Sequence, residues 1–247
     1  MTLSREKSRI VARFRRRAGS YDAAAQVQRH AAERLAGLLP PELAPKHRPA
    51  AILEIGCGTG LLTRRLVAHY PGADLLATDV APDMVAACRT ALGPASDVRL
   101  MVMDGERPTV AGPFDLIASS MVVHWFDDVA RSLDCLAHLL APGGVLAYAT
   151  IGADGFPEWR HALDALGLDH GLRHLGNLPG RLEDEHVTID YGSAAGFLAS
   201  LRATGATEAR ADYRPLPPGA LKAALRRMEQ AHGGRVTWHI VYGLLQR

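Results

Sequence analysis

Cysteine is scarce in this chain. The 247 residues contain three, Cys57, Cys88 and Cys135, and an odd number of widely spaced thiols excludes a disulfide framework. Neither these thiols nor the eleven scattered histidines have partners at metal-ligand spacing, so no metal centre is expected. A reducing, cytoplasmic compartment fits this cysteine usage. Long hydrophobic runs are missing too. No stretch of about 18 apolar residues occurs, and the opening Met-Thr-Leu-Ser-Arg-Glu-Lys lacks the apolar core of a secretory signal, so neither membrane insertion nor export is expected. Charge of one sign is in short supply. The net +2 argues against a dedicated nucleic-acid binder, and with no Gly-x-Ser-x-Gly elbow, nucleophilic serine chemistry has no foothold.

What charge there is lies unevenly. Residues 1–17 carry Arg5, Lys7, Arg9, Arg13, Arg15, Arg16 and Arg17 against the single acid Glu6. That is either a solvated helix end or a surface for an acidic partner. At 48% hydrophobic residues the chain can bury one sizeable core.

From Ser4 to Leu39, apolar residues at three- and four-residue steps predict two helices broken near Gly19-Ser20, with Ser20 as a cap. A proline-rich connector follows. Short apolar runs then alternate with helical patterns: Ala51 to Ile55, Asp74 to Thr78, Val98 to Met101, Phe114 to Ser119 and Val145 to Thr150. That rhythm predicts parallel strands with crossover helices, and Pro142-Gly143-Gly144 reads as a helix stop and turn before the fifth strand. From Ile151 to about Leu201 the strand rhythm lapses before a helix near Ser193 to Ala203. Two last strands are expected at Thr207 to Tyr213 and Arg235 to Leu245, around a helix near Pro218 to Gln230. The expected fold is therefore α/β, a seven-stranded, mostly parallel, Rossmann-like sheet with N-terminal helices and a cap insertion after the fifth strand. Its parts would be a helical lid over 1–45, a cofactor-binding core over 50–150, a substrate cap over 151–200 and the end of the sheet over 201–247.

The most specific motif is the strand ending in Glu54-Ile55 that runs into Gly56-Cys57-Gly58-Thr59-Gly60 and then a helix. A dinucleotide fingerprint would place its third glycine at position 61, which is Leu61. Glu54 at the strand tip suits a cationic ligand with an ammonium and a sulfonium, and would repel a pyrophosphate. Asp79, ending the next strand, is placed to accept both hydroxyls of a ribose. The donor these features fit is S-adenosylmethionine. By position, Asp104 and Gly105 past the third strand would meet an adenine amino group, and Met84 would pack on the ring. Ser119-Ser120-Met121 and His124-Trp125-Phe126 follow the fourth strand at the sheet's C-terminal edge, where open α/β folds put their ligands, with Ser119 and His124 the site candidates.

Beyond the loop, the sequence resembles the malonyl-acyl carrier protein O-methyltransferases of biotin biosynthesis over nearly its whole length. Three stretches carry the resemblance: Phe14 to Asp22 with Gln26-Val27-Gln28; Thr150-Ile151-Gly152 with Phe156-Pro157-Glu158-Trp159; and Ser200 to Thr207 with Thr237 to Gly243. His124-Trp125 stands where that family usually has Gln-Trp. The resemblance implies a class I methyltransferase that esterifies the free carboxylate of a malonyl thioester on acyl carrier protein; the basic N-terminal cluster, with Arg226 and Arg227 as additions, would then be the surface on which the acidic carrier docks. It also implies that the N-terminal segment folds over cofactor and substrate, where Tyr21 and Asp22 match the motif as catalytic residues beside His124. A methyltransferase of another small acid or quinol, or a non-catalytic S-adenosylmethionine-binding protein, would share the same sheet and loop.

Overall fold

A computed structural model describes residues 25–43, 50–172, 178–204, 210 and 212–247. The expected first helix and the Ser20 cap lie outside that range. The chain begins with α1 (Gln26–Leu38), β1 (Ala51–Ile55), α2 (Leu61–His69), β2 (Asp74–Asp79), α3 (Pro82–Leu92) and β3 (Arg99–Val102). It continues through β4 (Phe114–Ser120), a 3-10 turn (Val123–Trp125), α4 (Val129–Ala137), β5 (Leu140–Ile151) and α5 (Pro157–Asp164). Last come β6 (Arg181–Asp190), α6 (Ala194–Ala203), α7 (Pro218–His232) and β7 (Arg235–Gln246).

The seven strands form one sheet in the order β3-β2-β1-β4-β5-β7-β6. β1 to β5 pair in parallel, and β7 runs antiparallel to both neighbours. This is the mostly parallel sheet expected, and strand order reverses between β1 and β4, the place where such sheets take ligands.

Two details differ from the sequence reading. The sixth strand is Arg181–Asp190, inside the stretch expected to be a cap insertion. The stretch expected to supply it, Thr207 to Tyr213, lies largely outside the described residues, and its described members Arg210, Asp212 and Tyr213 belong to no strand. Pro142-Gly143-Gly144 does not precede β5 but lies within it, opposite an irregularity in the β4 pairing between Phe114 and Leu116. A Cβ on Gly144 would come 2.8 Å from the carbonyl oxygen of Phe114, so the bulge needs glycine there.

Alternation along the strands sorts the core. On one face Ile52, Leu75, Leu116, Ala118, Val145 and Ala147 pack with α1, α2, α5, α6 and α7. On the other, Leu53, Leu76, Ile117, Leu146 and Tyr148 pack with α4 and the 3-10 turn. α1 docks because Val27, Ala31, Ala32, Leu35 and Ala36 form one apolar stripe. Its polar side reaches the far edge of the sheet: Arg34 pairs with Glu183 at 2.7 Å, and His30 Nε2 and Tyr242 OH share Glu185 Oε1 at 2.8 and 2.6 Å. Exposed pairs of this kind contribute about 0–1 kcal/mol, against roughly 1.5–3 kcal/mol for one fully buried Leu35-sized side chain. The stripe therefore holds the helix, and the pairs set its register.

A second junction joins α5 to β7. Glu158, in the first turn of α5, accepts the Thr237 amide at 2.9 Å and its hydroxyl at 2.6 Å. Phe156 and Trp238 meet edge to face, their ring centroids 4.6 Å apart. Removing the buried acceptor with Glu158→Ala should cost about 1–3 kcal/mol, because the Thr237 amide is left unsatisfied. Arg34→Ala should cost less than about 1 kcal/mol. Thermal unfolding of the two variants checks this; an equal fall in midpoint would mean that the junction is no more than a surface contact.

Candidate functional site

An open cleft with about 950 Å³ of empty space, part of it continuous with solvent, sits at the C-terminal ends of β1 and β4. Its floor is the loop after β1. The amides of Gly56 and Cys57 both donate to the Thr78 carbonyl, at 2.7 and 2.8 Å, which folds the loop back over the tip of β2. Gly56 has φ 75°, and a Cβ there would lie 2.2 Å from Val122 Cγ2, so the turn and the close approach of the loop after β4 both require glycine. Cys57 lines the cleft while packing with Cys88 and Ala77 in a small apolar cluster beneath it.

Asp79 is held by one amide on each oxygen: Gly58 N–H on Oδ2 at 3.0 Å and Ala81 N–H on Oδ1 at 2.8 Å. A carboxylate offers about four lone-pair sites, so this one can accept further donors. Burial pushes this carboxyl up to about 6, although the amides of Ala81, Gly58 and Val80 work against the rise. Glu54 stands apart. Both of its oxygens are buried and make no hydrogen bond of ordinary geometry, and burial pushes the carboxyl up to about 8 although the nearby Thr63 works against the rise. A buried, unpartnered acid at a cavity wall is costly unless something brought into the cavity compensates it. The donor set therefore fits a ligand with a cationic end and vicinal hydroxyls.

Of the site residues expected from sequence, Glu54, Gly56, Cys57, Gly58, Asp79, Met84, Asp104 and Gly105 line this one cleft. Asp104 also accepts the Glu106 amide at 3.1 Å. Gly60, Ser119 and His124 are not among the lining residues. Gly60 starts α2 with φ 86°. Ser119 is buried on the opposite face of β4, where its hydroxyl donates to the Ile55 carbonyl at 3.0 Å. The 3-10 turn after β4 directs His124 inward, its Nδ1 3.2 Å from Thr150 Oγ1, and brings Trp125 and Phe126 to the cleft instead. Tyr21 and Asp22 lie outside the described residues.

Sequence reading missed Gln28 of α1, Met103 and Val122. Of the two serines at the end of β4 it is Ser120 that lines the cleft, because parallel neighbours share a face: Glu54 pairs with Ala118, and Ser120 is two residues further along β4.

Among the described residues, Asp154, His186 and His239 can bring potential metal-ligand atoms within 4.8 Å of one another. Both nitrogens of His239 are already engaged, Nδ1 accepting the Asp154 amide at 3.0 Å and Nε2 facing Asp184 Oδ2 at 3.0 Å. No helix among the described residues is long and apolar enough to cross a membrane.

A family model described as a methyltransferase domain matches residues 53–146, from β1 into β5. The malonyl-[acyl-carrier protein] O-methyltransferase of Magnetococcus marinus is 38% identical over 94% of this chain and 90% of its own length. The enzyme of that name from Anoxybacillus flavithermus is 30% identical over 96% of both chains. The biotin biosynthesis bifunctional protein BioCD of Bordetella avium is 41% identical over 95% of this chain, which spans about half of that longer protein, 51%. Among solved structures, the YcgJ protein of Bacillus subtilis shares the fold at a TM-score of 0.53 and 14% identity, over 88% of this chain and 97% of its own. At 38% identity across nine-tenths of both proteins, the chain belongs to the malonyl-[acyl-carrier protein] O-methyltransferase family.

Proposed function

We propose that this protein transfers a methyl group from S-adenosylmethionine to the free carboxylate of malonyl-acyl carrier protein, giving the methyl ester that primes pimeloyl synthesis for biotin. The observation that carries the reading is the pair of acids on one cleft, the buried Glu54 with no hydrogen bond of ordinary geometry and the half-buried Asp79 held by backbone amides, in a chain of this family. Glu54 would face the donor's cationic end and Asp79 its ribose hydroxyls. When bound, the donor supplies an electrophilic methyl on a sulfonium; the carboxylate oxygen bonds to that carbon as the carbon–sulfur pair returns to sulfur, and no proton is released.

A carboxylate is already anionic at pH 7, so the reaction needs alignment and exclusion of water more than a general base. That agrees with a buried His124 turned toward Thr150. We assign the orienting role to Tyr21, with Asp22 beside it, in the segment that precedes α1. Mass spectrometry of malonyl-carrier protein after incubation with protein and donor should show one added methyl, and acetyl-carrier protein should show none. Modification of the acetyl form would refute carboxylate transfer.

The carrier is proposed to dock on the basic residues between Arg5 and Arg17. Attraction between exposed charges is screened over about 8–10 Å at physiological salt. Carrier-dependent turnover should thus fall as ionic strength rises while donor binding stays level, and turnover insensitive to salt would rule out electrostatic docking.

The raised acids give a linked pH effect. An acid whose folded pKa lies above its unfolded value binds more protons when folded, so its contribution to stability is complete below the unfolded pKa and is lost as pH rises to the folded one. For Glu54 that window runs from 4.5 to about 8, and for Asp79 from 3.8 to about 6. The free protein should lose thermal stability across this range. A cation placed beside Glu54 at pH 7 would ionise it and release close to one proton, visible by calorimetry in buffers of different ionisation enthalpy. Glu54→Gln should abolish the release; release that persists in the variant would assign the proton to another group.

Asp79→Ala should weaken donor and demethylated product alike by at least about tenfold, since each hydrogen bond to a charged acceptor contributes roughly 1.5–3 kcal/mol. Unchanged binding in calorimetry would remove Asp79 from the donor site.

A further inference from the structure

Besides Glu54, one other lining side chain has a buried polar atom without a partner among the described residues. It is the Oγ of Ser120, at the end of β4. Ala118 pairs with Glu54 on β1 and Ser120 with Ala149 on β5, so Ser120 shares the face of Glu54 but stands across the crevice where strand order reverses. The acids Glu54, Asp79 and Asp104 belong to β1, β2 and the turn after β3. They all lie on one side of that crevice, and Ser120 lies on the other. No lysine, arginine or histidine occurs among the described lining residues.

We infer that the Ser120 hydroxyl binds the acceptor, donating a hydrogen bond to one oxygen of the substrate carboxylate and holding the other oxygen toward the transferred methyl. This rests on the proposed function and names a second group, in addition to Tyr21, that would hold its substrate carboxylate. Three considerations favour the acceptor over the donor as its partner. A sulfonium has no hydrogen to give and no lone pair suited to a hydroxyl, so the centre of the donor leaves Ser120 unsatisfied. The donor's ammonium and ribose already have acids to meet on the other side of the crevice, and its own carboxylate is the competing acceptor that a donor-affinity measurement separates from the substrate's. In a cleft lined by acids and by no described cation, a neutral hydroxyl can bind an anionic oxygen without cancelling the attraction between that anion and a cationic donor. A serine suffices because the charge complement comes from the donor, and only direction must come from the protein.

Ser120→Ala removes the donor hydrogen while keeping the backbone and the small volume at the strand end; Ser120→Thr restores a hydroxyl in a residue that suits a strand. With malonyl-carrier protein as substrate, Ser120→Ala should lower kcat by roughly 10- to 100-fold. Its calorimetric affinity for S-adenosylmethionine should stay within about twofold, and its thermal midpoint within a few degrees, of the parent protein. Ser120→Thr should recover most of the lost kcat, which a role in packing alone would not predict. Loss of donor affinity in parallel with kcat would move Ser120 to the donor subsite, and unchanged turnover in Ser120→Ala would remove it from the site; either outcome overturns the inference. If the unaltered protein fails to methylate malonyl-carrier protein, the functional reading itself fails, and the assignment of Ser120 to that carboxylate fails with it.

Discussion

Successive side chains of a strand point to opposite faces of its sheet, and in β1 and β4 this alternation decides what the cleft is made of. Ile52 and Leu116 are buried on one face, Leu53 and Ile117 on the other. Continued outward, the first series delivers Glu54 and Ser120 to the cavity, and the second sends Ile55 and Ser119 into the opposite core. Because the same two-residue period that fills the core also aims the polar groups, the site cannot shift along β4 without burying a different set of residues. A one-residue slip would put Ser119 in the cleft and Ala118 among the side chains of α4.

Where sequence was easy to read, local and tertiary signals agreed. β1, β2 and β4 are short apolar runs buried on both faces and closed by glycine, proline or an acid, so their bounds were legible to within a residue. β6 was hidden for a physical reason. Its inward-facing positions include Glu183 and Glu185, acids that meet Arg34 and His30 of α1, so only Val187 and Ile189 carry the apolar half of the alternation. A strand whose inner face is polar because its partners are polar does not show a hydrophobic period. In the site, Glu54 and Asp79 stood out because an acid at a strand tip has few structural uses. Choosing between Ser119 and Ser120 needed the β1 register, and the direction of His124 needed the 3-10 turn; neither is encoded in spacing along one segment.

The segments 156–159 and 237–243, which set this sequence apart from the generic fold, prove to be two sides of one joint. Glu158 takes both donors of Thr237, the Phe156 amide donates to the Thr237 carbonyl at 2.8 Å, and the Gly152 amide donates to the His239 carbonyl at 2.7 Å. Phe156 adopts φ 60°, a conformation that L-residues avoid at a cost of about 1–2 kcal/mol. Its ring, wedged between Trp238 and Phe197, gives a reason for a bulky residue there. The joint holds the chain leaving β5 against the strand at the centre of the antiparallel half of the sheet, behind the wall that α1 and β4 give the cleft.

That half of the sheet also carries a consequence for the order of assembly. β6 touches the sheet only through β7, which is synthesised after it. A nascent chain can therefore lay down β1 to β5 while β6 has no edge to join. The acids that set the register of α1, Glu183 and Glu185, reach their place only once Arg235–Gln246 has emerged and slotted between its neighbours. The apolar stripe of α1 can dock on α2, β4 and β5 before that strand arrives, so the helix over the cleft is seated first and has its register fixed only when the antiparallel half of the sheet closes.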